Sequence, residues 1–391
     1  MKKEGYTIRG RLSPAAAPCD IEIVGGRVAR VGRAGKAAAD FGSITAFIGP
    51  ALFDTQVNGA AGYSLQGDRV SPEDLARVAE HLASWGVSHW VPTIVTAALE
   101  EMEHACRVIA KALENPRLRR AVPGIHLEGP CISPEDGPRG AHPQAHVRPP
   151  SIREFDRLYR AAEGRILYTT VAPELPGATA YIRALVRRGV IVSLGHHDGS
   201  AKDIAKAVDA GARLSTHLGN GSAPRMHRFE NPLWPQLADD RLHAGLIADL
   251  HHLPPDVLKT IVRAKGPERI MLVSDCTRIA GLKAGKYIEF GAEVELKRSG
   301  KLCLSGTDLL AGSASMLLEG VVNTWQATDM SLEQACAAAT TVPARLFGVK
   351  LPPTTPKPGR KANLVVFHAD TSRPRSHVRV DAAFINGVRT G

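Results

Sequence analysis

Of the 391 residues, 44% are hydrophobic and 23% charged, a balance that suits a soluble globular protein large enough for one big domain and a small one. No apolar run approaches the ~18 residues of a membrane span, and Met1-Lys-Lys-Glu-Gly-Tyr-Thr7 holds no stretch of signal-peptide length, so a cytoplasmic protein without a membrane partner is expected. The net charge of +10 would suit an anionic partner, yet Lys and Arg are spread along the chain with no zinc-finger, RNP-type or basic-helix motif; no nucleic acid is expected, and a small anionic substrate or simple solubility accounts for the charge.

Residues 1–50 read as short β pieces separated by Gly: Tyr6-Thr-Ile-Arg-Gly10, Asp20-Ile-Glu-Ile-Val-Gly-Gly26 and Arg27-Val-Ala-Arg-Val-Gly32. Residues 351–391 have the same texture in Ala362-Asn-Leu-Val-Val-Phe-His368, Val378-Arg-Val380 and Ala383-Phe-Ile-Asn-Gly-Val388. The two ends are expected to form one small β-sandwich domain, with residues 51–350 inserted and Pro352-Pro353 and Pro356-Lys-Pro-Gly359 marking the return.

Between them strand and helix patterns alternate. Candidate strands finish near Asp54, Val95, Glu128, Val171, His196, His217, Asp249 and Asp275. Helical periodicity runs through 72–85, 99–113, 152–162, 178–188, 201–210 and 254–264, and Ser71-Pro-Glu-Asp74 and Ser151-Ile-Arg-Glu154 supply N-terminal caps for two of these. Eight such units over about 280 residues predict a TIM-like (β/α)8 barrel of the α/β class. A doubly wound open sheet is the alternative, but no GxGxxG follows a first strand. Two connections are long, 129–150 and the segment after Asp275 through Gly306, and at the mouth of a barrel both are expected to be functional. The six cysteines show no CxxC pair and read as reduced thiols; Cys131 and Cys276 fall near the expected site, where packing is favoured over reactivity.

The chemistry gathers at strand ends. Ile191-Val-Ser-Leu-Gly-His196 and Leu214-Ser-Thr-His217 are apolar runs that each end in a histidine followed at once by polar residues, and Glu128 follows Gly124-Ile-His-Leu127. Converging at the C-terminal face of a barrel, Glu128, His196 and His217 make a His2Glu set with a position left for water, the ligand types of a catalytic zinc site, although other borderline divalent metals also suit them. Asp275, after the buried run Met271-Leu-Val-Ser274, is placed to take a proton from water and return it to a leaving group.

Three segments resemble the amidohydrolase superfamily and, within it, the N-acetylglucosamine-6-phosphate deacetylase family: Leu52-Phe-Asp-Thr-Gln-Val-Asn-Gly59, His126-Leu-Glu-Gly-Pro130 with Gly140-Ala-His-Pro143, and Ser193-Leu-Gly-His196. Thr216-His-Leu-x-Asn220, Ile247-Ala-Asp-x-x-His252, Ser274-Asp-Cys276 and the terminal Pro358-Gly-x-x-Ala-Asn-Leu-Val365 follow in the family's order, so the likeness covers nearly the whole chain. The resemblance implies Glu128, His196 and His217 as metal ligands and Asp275 as general acid and base. It implies that His142 and His252 contact the sugar and its acetamide. Asn220, the backbone of Gly221, and Arg228 would hold the phosphate, Arg228 reaching across a homodimer interface. Where many amidohydrolases carry His-x-His, this chain has Gln56-Val-Asn58, and neutral amides are poor ligands for a transition metal, so a single divalent ion per subunit is expected, zinc first.

The implied activity is removal of the acetyl group from N-acetylglucosamine 6-phosphate, with Asp275 moving the proton and His252 or His142 stabilising the oxyanion. The sequence Gly219-Asn-Gly-Ser222 and the run Phe229-Glu-Asn-Pro-Leu-Trp234 depart from the family pattern in the sugar and phosphate pocket. They keep open deacetylation of a different N-acyl amino sugar or hydrolysis of a cyclic amide. A non-catalytic barrel is the remaining reading, disfavoured because all four metal and proton-transfer positions are present. His197, His227 and His251 stand beside assigned residues and are expected to be supporting or surface positions.

Overall fold

The computed structural model describes residues 5–370 and 377–390. Eight parallel strands form the central sheet: Leu52–Val57, Val87–Val95, Ile125–Glu128, Ile166–Val171, Ile191–Leu194, Leu214–Ser215, His243–Ile247 and Ile270–Val273. Their residues are almost all buried, as strands covered on both faces require, so they read as continuous apolar runs rather than alternating ones. The first and eighth strands meet through a bridge between Val57 and Cys276 and through Asp275 N–H to Gln56 O (3.0 Å) and Asn58 N–H to Cys276 O (2.8 Å), which makes the sheet a nearly closed barrel.

The expected helices are present at Pro72–Ser84, Leu99–Ala112, Ile152–Ala161, Ala178–Arg187, Ala201–Ala210 and Pro255–Lys265. Ser71 closes a reciprocal capping box with Asp74, and Ser151 accepts from Glu154 N–H, so both caps act as the sequence indicates. Leu75, Val78 and Leu82 show how these helices cover the barrel: their spacing puts them on one buried face.

Four strands end two residues earlier than the sequence suggested, at Leu194, Ser215, Ile247 and Val273. The cause is local. His196 (φ 53°), His217 (φ 29°) and Asp275 (φ 50°) all occupy the left-handed region, which turns the chain out of the ladder before the functional side chain. Leu250 (φ 59°) does the same one residue after Asp249. Non-glycine residues held there cost of order 1–3 kcal/mol each and cluster at functional sites.

The terminal segments form one mixed seven-stranded sheet that joins Gly5–Arg11, Cys19–Val24, Arg27–Arg33 and Phe41–Pro50 to Leu364–Ala369, Val378–Ile385 and Val388–Thr390. The expected two-layer module is thus one sheet curled on itself. Tyr6 and Phe384 lie on strands three places apart, about 14 Å in a flat sheet, yet their ring centroids are 5.7 Å apart. Alternation sets the two faces: Leu364 and Val366 enter the sheet's own core, while Val365 and Phe367 pack against the barrel. Residues 1–4, 371–376 and 391, which the expected terminal domain includes, lie outside the described residues.

The long segment after Asp275 folds into a three-stranded antiparallel flap, Gly285–Glu289, Ala292–Leu296 and Leu302–Leu304, before the helix Leu317–Ala327. No helix among the described residues is long and apolar enough to cross a membrane. The charge is not evenly spread. Residues 1–50 and 351–391 hold 15 Lys and Arg against 6 Asp and Glu, leaving 34 against 33 for residues 51–350. The positive excess therefore belongs to the terminal segments and not to the barrel, which favours solubility over substrate attraction as its account.

Candidate active site and metal centre

Glu128, His196 and His217 come together at the C-terminal ends of the third, fifth and sixth barrel strands. Their side-chain ligand atoms all lie within 4.8 Å of one another, and all three residues are buried. His217 Nε2 is 3.0 Å from Glu128 Oε1 and 3.0 Å from His196 Nε2, and His196 Nε2 is 3.3 Å from the same carboxylate oxygen. Bonds of ~2.0–2.2 Å at tetrahedral angles place ligand atoms about 3.3 Å apart, so the cluster fits a divalent metal. His196 donates its Nδ1 proton to the carbonyl of Pro138 (2.9 Å), which leaves the Nε2 lone pair for the ion. Burial raises the cost of the Glu128 charge, but the adjacent His196 and His217 side chains outweigh it and hold the carboxyl well below its ordinary range.

Glycines frame this cluster. A Cβ on Gly221 (φ 56°) would stand 2.8 Å from His196 Nδ1 and 3.1 Å from His217 Cε1, and one on Gly140 would stand 3.2 Å from His196 Cε1. The 129–150 connection thus contributes the Pro138 carbonyl, Gly140 and His142, which explains why it is long.

Asp275 faces the cluster from the eighth strand. Its Oδ1 accepts from Asn58 Nδ2 (2.7 Å) and Gln56 Nε2 (3.1 Å), and Gln56 Nε2 also reaches Glu128 Oε1 at 3.1 Å. The two amides that replace His-x-His therefore serve as hydrogen-bond donors, Gln56 linking the two carboxylates and Asn58 holding Asp275. With Oδ1 occupied, Oδ2 has no hydrogen-bond partner among the described residues. Burial, then the charge of Glu128, pushes the Asp275 carboxyl up to about 8.

His142 is buried, its Nδ1 2.9 Å from Thr96 Oγ1, and its ring meets His196 edge-on at 4.3 Å. Thr96 gives its one proton to the Glu128 carbonyl (3.2 Å), so His142 must donate through Nδ1 and present Nε2 as an acceptor. Burial pushes its pKa down to about 3, which keeps the ring neutral. His252 Nδ1 bonds to Asp249 Oδ2 (2.8 Å), and Asp249 Oδ1 takes the backbone N–H groups of His251 and His252, so Asp249 orients this ring from below.

His142, Asn220, Gly221, His252 and Asp275 line one cavity of about 1700 Å3 together with the three metal-site residues. Asn220 Nδ2 is buried without a hydrogen-bond partner among the described residues. Arg228 is different. It is exposed, stacks on Phe229 at 5.9 Å, and does not line the cavity of its own chain. Phe229 (73% exposed) stands beside it, and Trp234 (50%), on the short helix that follows, donates Nε1–H to Arg228 O (2.8 Å).

The neighbouring histidines separate as expected. His197 is buried behind the cavity and accepts from Gly199 N–H; His227 is exposed and accepts from Glu230 N–H; His251 reaches the flap through Ser299 O (3.1 Å). All six cysteines are free, and burial pushes the Cys131 thiol up to about 12 and raises Cys276 further, which suits packing. Thr96 and Pro138 escaped the sequence reading. A hydroxyl and a backbone carbonyl carry no local pattern, and only their position against the two histidines shows their use.

Residues 47–389 match the Amidohydrolase family. The chain belongs to the amidohydrolase family. Within this amidohydrolase set it is similar to the N-acetylgalactosamine-6-phosphate deacetylase of Escherichia coli O157:H7, 34% identical over 316 residues, with 81% of this chain and 82% of that one covered. It is also similar to the N-acetylglucosamine-6-phosphate deacetylase of Bos taurus, 35% identical over 349 residues, with 87% and 82% covered. Among solved amidohydrolase structures, a mutant N-acetyl-D-glucosamine-6-phosphate deacetylase from Mycobacterium smegmatis, in complex with N-acetyl-D-glucosamine-6-phosphate, superposes with a TM-score of 0.81 at 28% identity over 99% of this chain and 100% of that one. The Thermotoga maritima N-acetylglucosamine-6-phosphate deacetylase gives 0.76 at 26% identity over 99% and 98%.

Proposed function

We propose that the protein hydrolyses the acetamide of N-acetylglucosamine 6-phosphate to glucosamine 6-phosphate and acetate, as a cytoplasmic homodimer that holds one divalent ion, zinc, per subunit and has no nucleic-acid partner. The observation that carries this reading is the buried Glu128, His196 and His217 cluster with Asp275 Oδ2 free beside it in the same cavity. When bound, the ion supplies Lewis acidity to the amide carbonyl and makes water acidic enough to be deprotonated near neutral pH.

The chain's own groups do the rest. Asp275 Oδ2 takes the proton of the attacking water; the water oxygen bonds to the acetyl carbon; the C–N bond then breaks as Asp275 returns the proton to the departing amine. Neutral His142 offers an acceptor and suits a substrate N–H or hydroxyl, and His252, oriented through Nδ1 by the Asp249 carboxylate, lines the same cavity and is the second ring positioned to meet the acetamide. Asn220 Nδ2 and the Gly221 backbone hold the phosphate, with Arg228 supplied by the second subunit, consistent with its exposure beside Phe229 and Trp234.

A second reading, a different N-acetylated amino-sugar 6-phosphate, is favoured by the similarity to the N-acetylgalactosamine-6-phosphate deacetylase and by the divergent Gly219–Trp234 loop. Acetate release by zinc-loaded protein tests both, with N-acetylglucosamine 6-phosphate, N-acetylgalactosamine 6-phosphate and unphosphorylated N-acetylglucosamine compared. A preference of ~100-fold for the first over the third, about 2.7 kcal/mol of transition-state binding, supports the proposal. Faster turnover of the galacto epimer installs the second reading, and turnover of none of the three removes this substrate class.

A further inference from the structure

Asp54 is fully buried, belongs to the first barrel strand, and has no part in the chemistry described so far. Its Oδ1 accepts two backbone N–H groups, from Ser274 on the neighbouring eighth strand (3.2 Å) and from Gln56 on its own strand (3.3 Å). Its Oδ2 is buried with no hydrogen-bond partner among the described residues. A carboxylate that leaves one oxygen unpaired in the interior is costly, so a buried acid here requires an explanation beyond packing.

The seam it occupies supplies one. The other seven neighbouring strand pairs of the barrel are joined by ladder registers. Between the first and eighth strands the described residues show one bridge, at Val57 and Cys276, with its flanking hydrogen bonds and a long one from Ser274 Oγ to Gln56 O (3.4 Å). At this weakly laddered seam the two chains must still be held in register, because Gln56 and Asn58 lie on one side and Asp275 on the other. Both amides must reach the same oxygen, Asp275 Oδ1, at 3.1 and 2.7 Å. Asp54 Oδ1 takes the N–H groups of the residues immediately before Asp275 and at Gln56, so one atom ties the backbone on both sides of that contact.

We infer that Asp54 is a positioning residue for proton transfer: its Oδ1 clamps the strand-one and strand-eight backbones so that Gln56 and Asn58 occupy Asp275 Oδ1 and leave Oδ2 aimed for catalysis. The inference rests on the assignment of Asp275 as proton carrier. It requires an acceptor at position 54 and not a negative charge, and this is what separates it from an electrostatic or purely structural role.

Three variants test it: Asp54→Asn, which keeps the Oδ1 acceptor, Asp54→Ala, which removes it, and Asp275→Asn, which tests the underlying assignment alone. Each is assayed for kcat, KM and bound metal, with the fold checked by circular dichroism, on the amino-sugar phosphate the wild type turns over. Displacements near 1 Å can cost about 100-fold in rate, so Asp54→Ala is expected to lose about 50-fold or more in kcat with KM within about threefold and one metal equivalent retained. Asp54→Asn is expected to stay within about fivefold of wild-type kcat. Wild-type kcat in folded, metal-loaded Asp54→Ala overturns the clamp. If Asp54→Ala fails to fold, Asp54→Asn decides by itself: a folded, metal-replete Asn variant with kcat down 50-fold shows that the charge matters and overturns the clamp. Full activity in Asp275→Asn would instead overturn the proton-carrier assignment, a failure distinguishable from that of Asp54.

Discussion

Replacing Gly221 with alanine is expected to damage the metal centre although the residue contributes no side chain to it. Gly221 sits at φ 56°, where an L-residue costs ~1–2 kcal/mol, and the added Cβ would lie 2.8 Å from His196 Nδ1 and 3.1 Å from His196 Cε1 and His217 Cε1. Neither ring can retreat easily. His196 is tied through Nδ1 to Pro138 O and has Gly140 and the edge of His142 on its other side, and His217 Nε2 already meets Glu128 and His196 at 3.0 Å. Overpacking of this kind costs ~1–3 kcal/mol. If the overlap is relieved by displacing His196, metal affinity falls by about 10–100-fold, as it does when a group that orients a ligand is lost. Competition with a chromophoric chelator measures that affinity directly, and acetate release at saturating metal reports whether activity returns when the site is filled. A Gly221→Ala protein that is folded and binds metal as tightly as the wild type would refute the argument.

Arg228→Ala is expected to raise KM for the phosphorylated sugar by about 10-fold, the loss of one charge-assisted contact, while metal content stays at one equivalent; unchanged KM would remove Arg228 from the phosphate site. The double variant Phe229→Asp, Trp234→Asp should shift the protein from dimer to monomer in analytical ultracentrifugation, since two charges replace the most exposed aromatic residues; an unchanged sedimentation coefficient would place any interface elsewhere. Asp249→Asn should lower kcat by roughly 10–100-fold, because His252 Nδ1 then loses the carboxylate that orients the ring, and wild-type kcat would dismiss that orienting role. Burial lifts the Asp54 carboxyl from 3.8 to about 6, so the folded state binds that proton more tightly than the unfolded chain; the associated stability, at most ~3 kcal/mol, is present below pH 3.8 and lost as pH rises through 6. The melting temperature of Asp54→Asn should therefore fall less than that of the wild type between pH 4 and 7, and parallel curves would contradict the shift.

Much of the barrel was readable because its determinants are local. Ser71 and Asp74 cap a helix within four residues, and the helix Ala201–Ala210 keeps the bounds its apolar spacing indicates. Buried strands such as Ile270–Val273 declare themselves as apolar runs, and that is why eight of them could be counted. Their ends were misplaced by two residues at His196, His217 and Asp275, where a left-handed backbone wins over β propensity; His and Asp visit that region more than most residues, but too seldom for the sequence to mark these three. The curled terminal sheet was likewise hidden, since contact between Tyr6 and Phe384 depends on curvature accumulated over four strands.

The amino-acid sequence alone determined the alternation of strands and helices, the residue types available for a metal and for proton transfer, and the family to which their order belongs, because each depends on short-range periodicity or on residue identity. Tertiary structure decided how those residues are used. Glu128, His196 and His217 are 68 and 89 residues apart along the chain and meet only because parallel strands deliver their ends to one face. Asp275 has Oδ2 free because Gln56 and Asn58, more than two hundred residues away, cross the barrel seam to occupy Oδ1. His142 is an acceptor because Thr96 has spent its only proton on Glu128 O. Such facts depend on which atom of a side chain is already bonded, and long-range contacts settle that after the chain has folded.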